Sequence, residues 1–547
     1  MQSMNFIHIG TPQTKPSPDA QIIHALEAEI DKEKSIIQTD RPKSVIDRIH
    51  SLGRLTADER VSELCDDHSP WLLGEFQGFD TPREGRNKPY RLGVLCALGK
   101  VCSRQVMIVA NDNTIAAGSW WPGSSQKIVA ALKTALQLRI PVLYLIECAG
   151  LFLPHQDQTF AAHDGAGAIF EMQAQLSRAG IRQMAAIFGD CIAGGGYMPL
   201  LCDKIVMTEQ ASLYIGGSAI TSHAKGSDNS PFGTASVHVH LSGCAENRVP
   251  DDHAAIQKLR AWLEALPSPA LAYFRLEDPV APEYSIDDLY HLLPTAPNEH
   301  YIIENIVARL ADASQIAKLH DEYGTEIFAS IALFDGLPAV VIANRAETVR
   351  ENNHLVAGGI LYHDGITKIR RICENANDDG LPVIWLQDVS GFDVGPDAER
   401  QGLLRHGAML LRTLSIQTAP HLTIILRKAS GAGYYAMKGA PFHPALTLST
   451  AISHLEVMSP QTLAGTLFDK KIARADDSQK AALIEAKEQV IQAQIQSSSP
   501  KSAAIRADVD EIIRLSDLRS RIIHFLHAAY QDASRPFKPQ RLWSILN

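Results

Sequence analysis

Apolar residues occur along this chain in short unbroken blocks, separated by glycine turns and by segments of helical period. Residues 92–98 and 105–110 are two strand-like runs. From 122 to 138 the period changes, with Ile128, Ala131, Leu132 and Leu136 on one face of a predicted helix. Residues 141–146 form a β-rich run that ends in Glu147-Cys148-Ala149-Gly150-Leu151. A polar loop over 152–163 and a helix over 168–179 follow, then a strand at 184–188. That strand leads into Ala193-Gly194-Gly195-Gly196-Tyr197-Met198-Pro199, where the apolar stretch 197–202 predicts the opening of another helix. Strand, glycine turn and helix in alternation describe stacked ββα units of an α/β fold. Upstream, residues 20–33 read as a helix in an N-terminal arm, and Thr56 with Glu59 reads as a capping box. Residues 249–300, with Pro267, Pro269, Pro279, Pro282, Pro294 and Pro297, predict a connection between domains.

The second half repeats the first at a spacing of about 240 residues. Ala116-Ala117-Gly118 returns as Val356-Ala357-Gly358, and Ile140-Pro141-Val142-Leu143-Tyr144-Leu145 as Leu381-Pro382-Val383-Ile384-Trp385-Leu386. The turn Cys148-Ala149-Gly150-Leu151 returns as Val389-Ser390-Gly391-Phe392. The glycine run returns as Gly431-Ala432-Gly433-Tyr434-Tyr435-Ala436, after a strand at 424–427. This predicts two tandem ββα domains related by internal duplication: an arm over 1–50, a first domain over 51–295 and a second over 296–547.

A glycine run at a strand-to-helix junction can cradle a phosphate or hold an oxyanion, because backbone N–H groups there are unhindered. The pairing of each run with a second glycine turn favours the oxyanion reading: one amide from each loop makes a two-donor hole. Gly150-Leu151 with Gly194-Gly195, and Gly391-Phe392 with Gly431-Ala432, are the candidate catalytic groups. Two such holes suit a site that handles two carbonyl groups. Rival motifs are weaker. Gly431-Ala432-Gly433-Tyr434-Tyr435-Ala436 fits the dinucleotide spacing with Glu456 downstream, but its first-half counterpart does not. Ala436-Met437-Lys438 resembles a biotinylation turn, yet Gly439 follows where the carrier motif has methionine. Ser390 and Ser430 stand beside the glycines without an evident activating base. His155 and His163 in the polar loop lack a metal-ligand pattern, so no metal is expected.

Composition narrows the class. The 547 residues are 45% hydrophobic and 20% charged, with a formal net charge of −10, which disfavours nucleic acid as a partner. Eight cysteines include no C-x-x-C pair, and no run of 18 apolar residues occurs. A cytoplasmic protein without membrane insertion is expected.

The duplicated turn and loop resemble the carboxyltransferase branch of the crotonase superfamily, meaning the β subunits of biotin-dependent acyl-CoA carboxylases and the α subunit of glutaconyl-CoA decarboxylase. The similarity spans about residues 53 to 530, from Gly53-Arg54-Leu55-Thr56-Ala57-Asp58-Glu59-Arg60 onward. Trp121-Pro122-Gly123, the run from Trp385-Leu386-Gln387-Asp388 to Asp393-Val394-Gly395, Ser415-Ile416-Gln417-Thr418 and Leu426-Arg427-Lys428 resemble the decarboxylase subunit more closely. The resemblance implies two crotonase-like domains, the first for a short-chain acyl-CoA and the second for biotin. The hole at Gly150-Leu151 and Gly194-Gly195 would serve the thioester enolate. The hole at Gly391-Phe392 and Gly431-Ala432 would serve the ureido oxygen, with Gly391, Gly431 and Gly433 lining the biotin side. The resemblance also implies biotin on a separate carrier protein, and either a biotin carboxylase subunit or a membrane decarboxylase subunit as a further partner. It implies a homo-oligomer, a dimer at least. Carboxylation is the expected direction, with glutaconyl-type decarboxylation as the alternative.

Overall fold

A computed structural model describes residues 5–13, 15–79, 91–216, 232–351 and 354–532. They divide into two compact units. One takes the chain start through Glu33 and Leu271–Leu526, and the other takes Lys34–Ala270 with the stretch from His527. The division falls inside the proline-rich stretch, which also contains a regular helix, Asp252–Glu264, capped by Asp251.

Each unit is built on a mixed sheet flanked by helices. In the Lys34–Ala270 unit the hairpin Val94–Val101 and Arg104–Asn111 is antiparallel. Arg104–Asn111, Val142–Cys148, Gln183–Ile192, Lys204–Thr208 and Asn247–Val249 then run parallel. The strands buried on both faces read as the continuous apolar blocks of the sequence. In the other unit Ile327–Phe334 and Leu337–Asn344 form the hairpin, followed in parallel by Val383–Val389, His421–Ser430, Leu446–Thr450 and Glu511–Ile513. The parallel crossovers are helices: Ser124–Leu138 and Ala166–Arg178 in the first half, His363–Asp379 and Leu403–Ser415 in the second. Even the irregularities recur. The strand register shifts between Ile146 and Cys148, and again between Gln387 and Val389. The second half adds a helical pair, Pro460–Arg474 and Asp477–Ser497, before its last strand.

Three elements differ from the sequence expectation. The arm helix runs longer, Asp19–Thr39. The polar loop after Leu151 contains a short 3-10 turn, Leu153–Gln158. The helix expected from Tyr197 begins inside the glycines, as Gly194–Leu200. The cause is close packing: a Cβ at Gly195 would lie 2.8 Å from the Cβ, carbonyl oxygen and Sγ of Cys148, so only glycine lets this turn rest on the neighbouring strand.

The capping box forms as expected. Thr56 accepts from the Glu59 N–H at 3.3 Å, and Glu59 Oε2 accepts from the Thr56 N–H at 2.8 Å. The helix it starts, Ala57–Leu64, packs Val61 and Leu64 into a core shared with Ile256, Leu259, Ile108 and Phe188. Thr56→Ala should therefore cost about 1 kcal/mol, read as a lower urea midpoint with an unchanged slope.

Candidate active site

The duplicated strands define which residues correspond. Val142 answers Val383 and Gln183 answers His421, so Gly150 answers Gly391 and Leu151 answers Phe392. The same register pairs Ala193 with Gly431, Gly194 with Ala432 and Gly195 with Gly433. The structural counterpart of Gly194-Gly195 is therefore Ala432-Gly433, one residue beyond the pair expected from the motif alone. Backbone geometry supports the correspondence: φ is +51° at Ala193 and +53° at Gly431. Ala193 holds ψ of −118°, a conformation that suits glycine better than an L side chain.

In each half the two loops touch. A Cβ on Gly150 would stand 3.3 Å from the carbonyl oxygen of Ile192. A Cβ on Gly433 would stand 2.7 Å from Val389 Cγ2 and 3.1 Å from Gly391 Cα. Leu151 is bridged to Trp120 through bonds made by its neighbours: the Trp120 N–H donates to Gly150 O at 2.9 Å and the Phe152 N–H to Trp120 O at 3.0 Å. The alternation of a parallel ladder turns the Leu151 N–H to the opposite side. Phe392 has the same place opposite Leu361, with the Asp393 N–H donating to Leu361 O at 3.0 Å. The helix that follows each glycine loop presents its first N–H groups without an intrahelical acceptor. Strand-end amide and helix-start amide are the two donors that an oxyanion requires.

The surroundings of the two loops differ. In the first half, a Cβ on Gly194 would lie 3.4 Å from the buried Trp120 ring and 3.7 Å from Phe170, and Trp121 stacks on Phe152 at 3.7 Å between centroids. In the second, a Cβ on Gly391 would project into open space. A cavity of about 580 Å³ is lined by Gly431, Ala432, Tyr434, Tyr435, Glu456 and Val457, among others.

Beneath each turn lies a buried carboxylate that the motif reading did not single out. Glu147 and Asp388 occupy the same strand position, 8% and 1% exposed. Asp388 Oδ2 accepts from Arg427 Nε at 3.0 Å and Nη2 at 2.7 Å. Arg427 Nη1 donates to the carbonyls of Glu299 and Ala296 at 2.9 and 3.1 Å. Gly189 is the first-half counterpart of Arg427 and supplies no charge. There the guanidinium groups arrive from another segment: Arg54 Nη2 and Arg60 Nη1 lie 2.6 and 2.9 Å from Glu147 Oε2, and Arg60 Nε is 2.8 Å from Asp252 Oδ2. A Cβ on Gly189 would fall 2.0 Å from Arg54 Nη2, so glycine there is the complement of the imported arginine. The signal was available in the repeat, as an acid at the same step before each glycine turn.

The rival groups find structural roles. Burial pushes the Cys148 thiol up to about 12, which keeps it a packed neutral group beside Gly195. Lys438 is 2% exposed and donates to Leu414 O at 2.7 Å, which closes it to covalent attachment. His155 packs its ring against Trp121 and Phe152. Among the described residues no group of three or more His, Cys, Asp or Glu is placed to hold a metal ion.

The model of the carboxyl transferase domain family matches residues 48–543. The chain belongs to that family. It is a family of biotin-dependent enzymes, and both branches named by the resemblance are among its relatives. The uncharacterized carboxylase YngE of Bacillus subtilis is 30% identical over 87% of this carboxyltransferase chain and 90% of that protein. The glutaconyl-CoA decarboxylase subunit alpha of Acidaminococcus fermentans is 28% identical over 88% and 86%. The biotin-dependent 3-methylcrotonyl-coenzyme A carboxylase beta1 subunit of Mycobacterium tuberculosis is 30% identical over 76% and 77%. The geranyl-CoA carboxylase beta subunit of P. aeruginosa has the same fold, with a TM-score of 0.83 over 97% of this chain and 98% of that one, at 22% identity.

The carboxylate beneath the first-half turn yields a direct test. Gly189→Ala should displace Arg54 from Glu147 and destabilise the carboxyltransferase by about 1–3 kcal/mol, measured by chemical denaturation. An equal substitution at exposed Gly167, where a Cβ meets nothing within 4 Å, should have little effect.

Proposed function

We propose that this chain is a carboxyltransferase subunit that moves a carboxyl group between carrier-borne biotin and a short-chain acyl-CoA, through one backbone oxyanion hole in each half. The observation that carries this reading is the duplication, loop for loop, of a strand-end turn and a glycine-led helix. The amides of Leu151 and Gly194, with Gly150 and Gly195 allowing the close approach, would hold the thioester oxygen. That interaction strengthens as the acyl α-carbon becomes a carbanion, which is where a donor pair lowers the barrier.

The biotin side has room and donors that fit the group. The space open in front of Gly391 and the cavity against Gly431 and Ala432 suit a compact bicyclic urea. When bound, biotin supplies the nitrogen that carries the carboxyl group. The amides of Phe392 and Ala432 would donate to the ureido oxygen, while Gly391, Gly431 and Gly433 keep the backbone close enough to do so. Tyr434 and Tyr435 offer aromatic surface beside the same cavity.

We assign the direction as carboxylation, supported by the carboxylase names among the relatives at 30% identity. Glutaconyl-type decarboxylation is the second reading, favoured by Trp121-Pro122-Gly123 and by the Cys148-Ala149-Gly150-Leu151 turn. On either reading the partners are a biotin carrier protein, a biotin carboxylase subunit or a membrane decarboxylase subunit, and further copies of this chain that complete the sites. Among the described residues no helix is long and apolar enough to cross a membrane, and all eight cysteines are free. The cytoplasm is the compartment we assign.

Purified protein supplied with carboxybiotin and candidate acceptor acyl-CoAs, and separately with free biotin and glutaconyl-CoA, tests the function. Transfer from carboxybiotin to propionyl-, crotonyl- or methylcrotonyl-CoA is expected. Transfer from glutaconyl-CoA to biotin, with the reverse transfer to crotonyl-CoA alone and none to propionyl- or methylcrotonyl-CoA, would select the decarboxylase reading. Proline is tolerated in the first turn of a helix, where the N–H it removes has no intrahelical acceptor. Gly194→Pro and Ala432→Pro should each lower transfer by on the order of 10²–10³. Near-normal rates in both variants would sink the two-hole mechanism. Gly431, at φ +53°, cannot accept proline's φ, so substitution there would confound donor loss with misfolding.

A further inference from the structure

The two halves share their backbone at the loops, yet one position beside them carries opposite charge. Lys428 and Asp190 correspond, each two residues before the end of its strand and each paired with a short neighbouring strand. Lys428 faces His454, and Asp190 faces Ser212. Asp190 is exposed and accepts a hydrogen bond from the Ser212 hydroxyl. Lys428 is directed inward, its side chain only 19% exposed.

The Lys428 ammonium lies behind the turn that supplies the Gly391 and Phe392 amides. A Cβ on Gly359 would meet Asp388 O at 3.3 Å, Ser390 Oγ at 3.3 Å and Lys428 Nζ at 3.6 Å. Gly359 O in turn accepts from the Ser390 N–H at 2.7 Å. The ammonium therefore stands against the residue that anchors the turn. Its nearest anion is Asp388, whose Oδ1 is 3.9 Å away, and Asp388 is already neutralised by two bonds from Arg427. The charged and titratable groups facing it are Asp388 on the strand beside it, Arg427 next to it, and His454 and Glu456 on the short strand. Glu456 also lines the cavity against Gly431. Two cations, Arg427 and Lys428, face two carboxylates, Asp388 and Glu456; Arg427 is taken up by Asp388, and the Lys428 ammonium is the cation that stands against Gly359.

Resting on the biotin-side reading above, we propose that Lys428 is a positioning residue for that hole. It braces the Ser390–Gly391 turn and raises the potential at the two donor amides as negative charge gathers on the ureido oxygen. The first half, with Asp190 at the same place, lacks this charge. The two holes are therefore electrostatically unequal although their backbones match. A cation fixed beside a donor pair acts on developing charge more than on a neutral ground state.

The test uses full-length protein in the direction that consumes free biotin, with the carboxylated form of the best acyl-CoA substrate found for the wild type as carboxyl donor. Lys428→Met should lower kcat for carboxyl transfer by roughly 10- to 100-fold. The KM for biotin should change little, and acyl-CoA affinity by calorimetry should match wild type, which also reports that the variant is folded. Lys428→Arg should recover most of the rate, because it restores charge rather than shape. Wild-type kcat in Lys428→Met, or equal losses in the Met and Arg variants, would overturn the assignment while leaving the functional reading intact. Wild-type protein that transfers no carboxyl group to or from any acyl-CoA would overturn the functional reading and this assignment with it.

Discussion

A carboxylate sealed within a protein persists in charged form only with a counter-charge at hydrogen-bond distance. Each half of this chain has such a pair at the last residues of its central strand. Glu147 and Asp388 stand where the strand register shifts and the backbone leaves the sheet for the glycine turn. The guanidinium bonds hold that exit in place. The turn then has only one way to meet the helix that opens on the neighbouring strand. The close approach of Gly195 to Cys148, and of Gly433 to Val389 and Gly391, depends on this fixed exit. The two loops stay in contact because the side chains beneath them cannot move apart cheaply.

The features legible in the sequence were those where backbone sterics restrict residue choice. Gly150, Gly391, Gly195 and Gly433 sit at positive φ or at approaches too close for a Cβ, and such sites mark a sequence strongly. The apolar blocks of the parallel strands were equally plain, because burial on both faces leaves no polar alternation. Thr56 and Glu59 announced their helix, since capping is a local interaction.

What was hidden depended on distant partners. The helix at Gly194 starts three residues before its apolar period, because its position is set by contact with Cys148 rather than by propensity. The counter-ions of Glu147 come from Arg54 and Arg60, far upstream, and the corresponding strand position is the uninformative Gly189. Lys428 was visible only as part of a motif. Its inward direction and its shared claim on Asp388 belong to the folded state. The one-residue offset between the two glycine pairs likewise emerged only from strand register.

The imported arginines bear on how a duplicated protein can be divided. The second half carries its counter-ion within the repeat, on the strand adjacent to the acid it neutralises. The first half takes its own from the start of its domain, well before the strand that bears the acid. Modularity is therefore unequal. Residues 51–60 look like a leader to the first sheet, yet they complete its interior. A first domain begun only at the strand hairpin would lose that support, leaving Glu147 buried without its cations. Once one copy had come to rely on a neighbouring segment, the two repeats were no longer interchangeable parts, however closely their backbones still agree.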